Sequence, residues 1–476
     1  MPLLTSTDPR PVHFVGIAGA GMSALAELFV RRGARVTGCD AHPDAAADLR
    51  ALGVDVAAGH DPAHVDGARA VVVTSAMPKD HAELRAARDA GLPVIRRAEA
   101  LAEATAGGQL IGISGTHGKT TTTVLTTEAL AAAGLAPTGV VGGRVGAWGG
   151  NLRYEGAKRF VVEADEYDRS FLALTPDVAV VTNVEADHLD IYADLADITA
   201  TFAEFAGRAR FVVACADDVG ANALPYPASA EVVRYSVARS DHHPGGVGGG
   251  HPDARLVAHG LRAGASGGVT FDVAYDGKPL GALALRVPGA HNARNALAAV
   301  GVGLLLGATL DGMRAGLEGF GGVERRFQRL GDAAGVDVVD DYAHHPTEIE
   351  ATIAAARGAY PGRRLVVAFQ PHLYSRTRDF ADAFGGALAA ADAVFLTEIY
   401  PAREQPIAGV HAGLVADASA AAGRAVAWRG TRDALAAALA EAARPGDVVL
   451  TVGAGDVTRT GPELLARLRA REVAAE

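Results

Sequence analysis

Apolar runs typical of β-strands alternate with alanine- and leucine-rich helical stretches along the whole chain, and this alternation constrains the fold more than any other feature. Such a pattern produces parallel sheets whose two faces are both covered by helices. The sequence therefore predicts an α/β fold. With 476 residues, the chain is long enough for about two to four domains.

Three successive series of strands and helices indicate three domains. The first series has the strand Val12–Ile17, the helix Met22–Arg32, and the strands Ala34–Cys39 and Ala70–Thr74. It predicts a Rossmann-like domain over residues 1–106. The second series has the strand Leu110–Ile113, the helix Thr121–Ala133, and the strands Phe160–Val162 and Val178–Thr182. It predicts a central domain with a mixed sheet over residues 107–324.

The third series follows the connector Gly319–Arg326 and predicts a second Rossmann-like domain over residues 325–476. Its strands are expected at Val336–Val339, Leu365–Phe369, Ala393–Thr397 and Val448–Val452. Between Ser240 and Gly268 the composition shifts to Gly, His and Asp, which indicates a flexible, solvated loop. A metal site is the alternative for the histidines of that loop.

Composition and charge exclude several classes of function. Lys and Arg number 44 against 55 Asp and Glu, a net charge of −11, so general attraction to nucleic acid or anionic lipid is not expected. The two cysteines, Cys39 and Cys215, suggest neither a disulfide framework nor a thiolate zinc site, and they fit a reducing, cytoplasmic compartment. The apolar stretch Val12–Val30 contains His13 and Glu27, so no membrane span or signal peptide is expected.

A glycine-rich segment between the Leu110–Ile113 strand and the following helix predicts a phosphate-binding loop. Backbone N–H groups of such a loop converge on anionic oxygens, while Lys119 supplies a positive charge and the Thr120 hydroxyl can hold magnesium. The usual first glycine would fall at Ile113, so the spacing is incomplete and an ordinary strand-to-helix turn is the alternative. The loop residues are Gly115, Thr116, His117, Gly118, Lys119, Thr120 and Thr121. They predict a central domain of the P-loop ATPase type.

Two polar segments follow later strands of the same predicted sheet. Glu163–Asp168 is acidic and stands where a second magnesium-holding carboxylate belongs, with a solvated acidic turn as the alternative. Thr182–Asp190 contains His188, which can ligate a metal or orient a phosphate if this strand end lies near Lys119. An isolated surface histidine is the alternative.

Polar strand ends also occur in the first and third domains. The turn Gly16–Gly21, with Asp40 ending the next strand, is typical of a nucleotide-diphosphate site, although its G-x-x-G-x-G order differs from the dinucleotide fingerprint. Tight helix–strand packing is the alternative. In the third domain, Asp340–Glu348 and Phe369–Arg378 can hold a ribose and base, an amino-acid carboxylate or a developing anion. Helix caps and structural ion pairs are the alternatives there.

Together, these motifs resemble the Mur ligases over nearly the whole chain, and they are most similar to the alanine-adding branch of that family. The segments that carry the resemblance are Val12–Ser23, Gly115–Thr122, Pro288–Asn295, Asp340–Glu348, Phe369–Arg378 and Gly453–Asp456. The resemblance implies a UDP-sugar domain, a central ATPase domain and a C-terminal domain that closes on the nucleotide and the amino acid. It also implies ATP and Mg²⁺ as cofactors, UDP-N-acetylmuramate and L-alanine as substrates, and a monomer or homodimer. The reaction would join alanine to the lactyl carboxylate through an acyl phosphate, in peptidoglycan precursor synthesis.

The resemblance also assigns roles to individual residues. Lys119, His188 and His344 would be catalytic, with His344 as the base for the amine. Asn292, Asn295 and Asp341 would join the glycine-rich loop in binding the adenine nucleotide. Thr120, Glu163 and His188 would hold the metal. The substrate-binding residues would be Gly16, Gly19, Gly21, Met22, Asp40, His372 and Arg376.

Two positions depart from the family pattern, and three other functions stay open. Tyr167 and Leu373 stand where alanine-adding ligases usually have Ser and Arg, so the charge for the amino acid would come from Arg376 or Arg378. The nearest alternative is the related ligase that attaches a recycled tripeptide to UDP-N-acetylmuramate. A nicotinamide-dependent oxidoreductase would use the N-terminal turn and leave Lys119 idle. An ATP-driven switch would hydrolyse ATP without making a bond.

Overall fold

A computed structural model describes residues 3–4, 7–74, 77–238, 250–264 and 267–475 of the chain. Residues 240–249 and 265–266 of the predicted Ser240–Gly268 loop lie outside the described residues. The loop prediction is wrong for Leu256–Ala263, whose alternating buried side chains form a β-strand of the second sheet. The chain forms two compact units. The first comprises Met1–Leu261, Phe271–Leu283 and Ala293–Phe320, and the second comprises Arg262–Thr270, Ala284–Asn292 and Gly321–Glu476. The three domain limits expected from the sequence stay a prediction.

The first sheet is five-stranded and parallel, with the strand order β3-β2-β1-β4-β5. Its strands are β1 Val12–Val15, β2 Val36–Asp40, β3 Asp55–Ala58, β4 Ala70–Val73 and β5 Val94–Arg96. Its helices are α1 Ala20–Arg31, α2 Ala47–Ala51, α3 Ala82–Asp89 and α4 Arg97–Thr105. β1 and β4 are buried along their whole length, as strands covered on both faces must be.

The second sheet has ten strands in the order β15-β14-β13-β12-β11-β10-β6-β9-β7-β8. Its strands are β6 Gln109–Ser114, β7 Thr138–Val145, β8 Gly150–Arg153, β9 Arg159–Glu163, β10 Val178–Val181, β11 Phe211–Cys215, β12 Glu231–Val237, β13 Leu256–Ala263, β14 Val269–Tyr275 and β15 Lys278–Leu285. The associated helices are α5 Lys119–Ala132, α6 Leu195–Ala206, α7 Val219–Ala223, α8 Ala290–Leu305 and α9 Leu310–Gly319. β8 pairs antiparallel to β7, whereas β6, β9, β10, β11 and β12 run parallel, so the sheet is mixed.

The third sheet has six strands in the order β16-β17-β21-β18-β19-β20. Its strands are β16 Gln328–Ala333, β17 Val336–Asp341, β18 Leu365–Phe369, β19 Ala393–Thr397, β20 Trp428–Gly430 and β21 Val448–Val452. Its helices are α10 Pro346–Ala359, α11 Tyr374–Leu388, α12 Gly413–Ala421, α13 Arg432–Ala442 and α14 Thr460–Ala475. Only the edge strand β16 pairs antiparallel to its neighbour, and hydrophobic clusters cover both faces of the sheet.

The predicted α/β fold is therefore confirmed, with a parallel first sheet, a mixed central sheet and a third sheet that is parallel except for its edge strand β16. Within the described residues, no helix is both long enough and apolar enough to cross a membrane.

Candidate active site

Strand register places three polar segments at one edge of the second sheet. β6 lies between β9 and β10, with Ile113 opposite Glu163 and Ser114 opposite Val181. All three strands are parallel, so their carboxyl ends meet at the same edge. The glycine-rich loop, the acidic segment after β9 and the polar segment after β10 therefore lie side by side.

The loop after β6 is tied closely to the end of β10. Gly115 has φ +139°, and a Cβ on it would lie 1.8 Å from Thr182 Oγ1, so only glycine fits there. The Thr182 hydroxyl donates to His117 O at 2.7 Å, and the Asn183 side chain accepts from His117 N at 2.7 Å. Thr116 N donates to Asn183 O at 3.1 Å. These bonds hold the loop against the neighbouring strand.

Lys119 begins α5, and its side chain turns back over the loop. Its ammonium donates to Gly115 O at 2.6 Å, to Thr116 O at 3.1 Å and to Glu166 Oε1 at 2.8 Å. Burial lowers the pKa of this ammonium, but the carboxylates of Glu166, Asp165 and Glu163 outweigh burial and raise the pKa overall. Lys119 therefore keeps its charge beside the N-terminus of a helix, where anions are stabilised.

Glu166 is the buried counter-ion of Lys119, a role that its sequence motif did not predict. It is 2% exposed, and burial raises the pKa of its carboxyl to about 7 although Lys119 acts in the opposite direction. The Tyr192 hydroxyl donates to the backbone carbonyl of Glu166 at 2.5 Å and fixes this segment. A perturbed carboxyl beside a phosphate-binding loop is typical of a functional site.

Thr120 and Glu163 come together as the sequence suggested. The Thr120 hydroxyl donates to Glu163 Oε1 at 2.9 Å, and Glu163 Oε2 accepts from Gly142 N at 2.7 Å. A hydroxyl and a carboxylate are the hard oxygen donors that magnesium takes, commonly with water and phosphate oxygens completing its coordination. The chemistry of this pair therefore fits a magnesium site.

His188 also lies at this sheet edge. Its Nε2 is 3.7 Å from Glu166 Oε1 and 3.8 Å from Asp187 Oδ2, and its backbone has φ +52°. The ring of Tyr167, one of the two departures from the family pattern, packs edge-on against the imidazole with centroids 5.2 Å apart. His188 therefore contacts the buried partner of Lys119, and its isolated-histidine alternative does not fit this placement.

The remaining loop residues are largely buried, and α8 reaches them. Thr116 and Thr121 are each 8% exposed, and His117 Nε2 lies 3.4 Å from Glu185 Oε2. Asn295 Oδ1 accepts from the Thr122 hydroxyl at 3.1 Å, and a Cβ on Gly118 would lie 2.8 Å from the same oxygen. Asn295 is therefore beside the loop. Asn292 belongs to the second compact unit, where its Nδ2 donates to Pro288 O at 2.7 Å.

Hydrogen bonds to residues of β2 hold the N-terminal glycine turn in place. Gly16 has φ +76°, and the N–H groups of Gly16 and Ile17 both donate to Cys39 O, at 2.9 and 3.0 Å. Asp40 Oδ2 accepts from Ala18 N at 3.0 Å. Asp40 thus shapes the turn through its carboxylate.

Helix α1 starts from this turn. Gly19 is its N-cap residue, and Met22 is 3% exposed within the core. A Cβ on Gly21 would lie 3.1 Å from Nη1 of Arg97, the first residue of α4. Sequence reasoning missed this arginine, since no local motif marks it. The binding roles of Met22 and the glycines stay predictions.

In the second unit, Asp341 and His344 follow β17. Both carboxylate oxygens of Asp341 accept backbone N–H groups, from Ala343 and from Phe327, each at 2.7 Å. Burial raises the pKa of this carboxyl to about 6 although Arg326 acts in the opposite direction. His344 Nδ1 lies 3.0 Å from Tyr342 O and 3.1 Å from Glu348 Oε2.

His372 and Arg376 lie at the end of β18 and the start of α11. The rings of His372 and His344 have centroids 6.0 Å apart, so these two predicted residues are neighbours. Arg376 is 6% exposed, in the first turn of α11. Leu373, the second departure from the family pattern, is buried and caps this helix with φ +72°.

Three family profiles match almost the whole chain in succession. They are described as Mur ligase family, catalytic domain (residues 11–109), Mur ligase middle domain (residues 113–303) and Mur ligase, glutamate ligase domain (residues 325–455). The UDP-N-acetylmuramate–L-alanine ligase of Acidothermus cellulolyticus is 47% identical, and the alignment covers 98% of each chain. The ligase of the same name from Burkholderia multivorans is 46% identical over 94% of this chain and 96% of the relative.

This chain belongs to the Mur ligase family. The resemblance seen in its motifs is therefore confirmed, and the chain is an ATP-dependent ligase that forms amide bonds. Among solved structures, the UDP-N-acetylmuramate–alanine ligase of Thermotoga maritima has a TM-score of 0.79 and 27% identity, covering 98% of this chain and 100% of that one. A murein peptide ligase from Psychrobacter arcticus shares the fold, with a TM-score of 0.69 and 24% identity over 97% of this chain and 99% of that one. The ligases of Acidothermus cellulolyticus, Burkholderia multivorans and Thermotoga maritima do not favour the oxidoreductase or the tripeptide alternative.

Proposed function

We propose that this chain joins L-alanine to the lactyl carboxylate of UDP-N-acetylmuramate, using ATP and magnesium. One observation carries the proposal. The Lys119 loop and the Thr120–Glu163 pair lie at one sheet edge, in a chain that aligns over 98% of its length with a ligase of that name. The limits 1–106, 107–324 and 325–476 would separate the UDP-sugar, ATP and C-terminal domains.

In the first step, the lactyl carboxylate would attack the γ-phosphorus of ATP. A new carboxyl–phosphate bond forms, the bond to ADP breaks, and an acyl phosphate results. Lys119 would exchange its contacts with the carbonyls of Gly115 and Thr116 for phosphate oxygens and stabilise the charge on the transferring group. The N-terminus of α5 would add its backbone N–H groups.

Thr120 and Glu163 would hold magnesium, which supplies positive charge to the nucleotide phosphates when bound. His188 would position the acidic segment or the metal, because its Nε2 faces the carboxyl of Glu166. Asn295 would contact the adenine nucleotide from α8, where it already bonds Thr122. Asn292 and Asp341 are further proposed contacts of the adenine nucleotide.

In the second step, the amine of alanine attacks the acyl carbon and phosphate leaves. The amine must be neutral, so a base has to accept a proton. We assign this to Nε2 of His344, because Nδ1 of the same ring is engaged with Tyr342 O and Glu348. His372 and Arg376 would hold the alanine carboxylate. The UDP-sugar would be bound by Gly16, Gly19, Gly21, Met22 and Asp40.

The decisive assay measures phosphate release from ATP and magnesium in the presence of UDP-N-acetylmuramate. The acceptors to compare are L-alanine, glycine, L-serine and L-Ala-γ-D-Glu-meso-diaminopimelate, with the product mass checked. We expect release and a matching amide product with L-alanine. A preference for the tripeptide would instead make the chain a recycling ligase, and release that needs no acceptor would contradict the ligase proposal.

Two variants connect this assay to the site. Lys119→Met removes the buried ammonium and is expected to abolish acceptor-dependent release. Lys278→Met removes an exposed ammonium at the start of β15 and is the matched control. The proposal includes a cytoplasmic location, a monomer or homodimer, and no nucleic-acid or membrane partner. Sedimentation of the purified chain tests the oligomeric state.

A further inference from the structure

A cluster of cysteine, histidine and glutamate side chains lies beside the first sheet. Cys39 is on β2 and His60 follows β3. His64 lies in the 3-10 turn Pro62–Val65. His81 precedes α3, and Glu83 is in the first turn of that helix. The proposed ligase reaction uses none of these side chains.

The donor atoms in this cluster are spaced like the corners of a metal site. Cys39 Sγ is 3.3 Å from Glu83 Oε2 and 3.4 Å from His60 Nδ1. Glu83 Oε2 is 3.2 Å from His60 Nδ1 and 3.7 Å from His81 Nδ1. With bonds of about 2.0–2.3 Å, the ligand atoms of a tetrahedral zinc site stand roughly 3.3–3.8 Å apart. The observed separations lie close to that range.

A second observation points to a ligand here. Among the described residues, His81 Nδ1 and His13 Nε2 are buried nitrogens without a hydrogen-bond partner. His13 is 1% exposed, and its ligand nitrogen lies within 4.8 Å of the donor atoms of Cys39 and Glu83. A buried imidazole nitrogen that bonds nothing is costly and needs an explanation. A cation bound by Glu83 and His81 supplies one for His81 Nδ1.

The two oxygens of the buried Glu83 carboxylate have different neighbours, and the Cys39 thiol and His60 Nδ1 lie within hydrogen-bond distance of Oε2, at 3.3 and 3.2 Å. Glu83 is 0% exposed, and its Oε1 lies 2.8 Å from His64 Nδ1 and accepts from Asp61 N at 3.1 Å. These two groups orient the carboxylate as outer-shell partners of a metal ligand do. The other oxygen, Oε2, faces His60 and His81.

We propose that Cys39, His60, His81 and Glu83 bind a divalent transition-metal ion of the zinc type, with His64 orienting Glu83. A thiolate and two imidazoles select such an ion over magnesium, which prefers oxygen donors. The side chains of His60, His64 and His81 are 25%, 21% and 17% exposed, so the ion has a route from solvent. Four protein donors complete a tetrahedron, which is the pattern of a structural site.

The proposed metal site would stabilise the C-terminal end of β2. The carbonyl of Cys39 accepts the N–H groups of Gly16 and Ile17, and the next residue, Asp40, bonds Ala18. A metal ion on the Cys39 thiolate would therefore hold the strand that shapes the N-terminal glycine turn. The role is positional, and the ion would take no part in phosphoryl transfer.

The sequence did not suggest a thiolate zinc site because it contains no paired cysteine motif. The donors are spread from residue 39 to residue 83, and only the parallel pairing of β2 with β3, together with the docking of α3, brings them together. A single cysteine with scattered histidines carries no spacing signal.

The test uses the full-length chain, stripped of metal with a chelator and then titrated with zinc and with cobalt. We expect about one equivalent to bind, and the cobalt form to show intense tetrahedral d–d bands with a thiolate-to-cobalt charge-transfer band. Magnesium in excess should not displace the ion. Zinc should also raise the midpoint of thermal unfolding, which reports binding without any activity measurement.

Substitutions of the proposed ligands test which side chains bind the metal ion. Cys39→Ser should remove the charge-transfer band and weaken zinc binding by at least about tenfold, and His60→Gln should weaken binding while keeping the thiolate band. The matched control is Cys215→Ser, which changes the other buried cysteine, on β11, and should behave as the wild type. His60→Gln also serves if Cys39→Ser fails to fold. No zinc binding by the stripped wild type, a cobalt spectrum without a thiolate band, or unchanged binding by either variant would overturn the proposal.

Discussion

Replacing Lys119 by methionine leaves the buried carboxyl of Glu166 without its positively charged partner. Lys119 Nζ and Glu166 Oε1 are 2.8 Å apart, and the two side chains are 12% and 3% exposed. Burial has already raised the pKa of Glu166 to about 7 while Lys119 lowers it. Without Lys119, that pKa rises further. At neutral pH the folded variant then keeps a proton on Glu166 that the unfolded chain releases.

The size of the effect follows from proton linkage. The ordinary pKa of a glutamate is 4.5, and the folded variant binds more protons than the unfolded chain above that value. Its stability therefore falls as pH rises from 4.5 to the raised pKa of the folded state. The wild type has the same pH dependence up to its Glu166 pKa of about 7, so the extra loss in the variant begins near pH 7 and grows by roughly 1.4 kcal/mol per pH unit up to the raised pKa. The pH-dependent part of the loss is therefore close to zero near pH 6 and roughly 1.4 kcal/mol near pH 8.

Hydrogen exchange of peptides from β6 and β10 measures this loss. Chains with several domains do not unfold in one step, and local exchange reports the opening of the central sheet itself. We expect Lys119→Met to lose more protection near pH 8 than near pH 6, and Lys119→Met/Glu166→Gln to recover a large part of the loss at the higher pH. Lys278→Met is the control. Equal losses at both pH values, or no recovery in the double variant, would refute the reasoning.

Three further predictions concern single side chains. Glu163→Gln should lower acceptor-dependent phosphate release by about tenfold to a thousandfold and raise the magnesium concentration needed, measured by titrating magnesium in the assay. Gly115→Ala should destabilise the central sheet by about 1–3 kcal/mol because its Cβ meets Thr182, and Thr182→Ala in the same chain should restore part of the loss in thermal unfolding. Asp341 has a folded pKa of about 6 against 3.8 ordinarily, so stability falls as pH rises between these values, and Asp341→Asn should flatten that slope in exchange of β17 peptides.

Sequence patterns predicted the strands best where both faces are buried. The predicted strands Leu365–Phe369, Ala393–Thr397 and Val448–Val452 have the observed bounds, because each is an apolar run in the interior of a parallel sheet. Strand Val12–Ile17 was predicted two residues too long, since Gly16 turns the chain at φ +76° and bonds Cys39 O. The β7–β8 hairpin was not located, because its strands are partly exposed and rich in glycine.

For the candidate site, the order of strands and polar segments along the sequence allowed us to predict which residues lie together. The loop at Lys119 and the carboxylate of Glu163 were placed together correctly, since both follow strands of one parallel sheet. The ion pair of Lys119 with Glu166 was not foreseen. This ion pair depends on a 3-10 segment in which Asp168 and Arg169 have φ +54°, and on the hydrogen bond from the Tyr192 hydroxyl to Glu166 O. Neither feature produces a recognisable pattern in the amino-acid sequence.

The register of β6 and β9 connects the reaction to folding. Ile113 faces Glu163 across this pair, and a slip of one residue would turn Glu163 to the opposite face of the sheet. Pairs between strands this distant in sequence close long loops and form slowly. A chain trapped in the slipped register would keep almost all its helices and strands yet lack the Thr120–Glu163 contact. Recovery of activity after refolding therefore measures strand register, which circular dichroism does not detect.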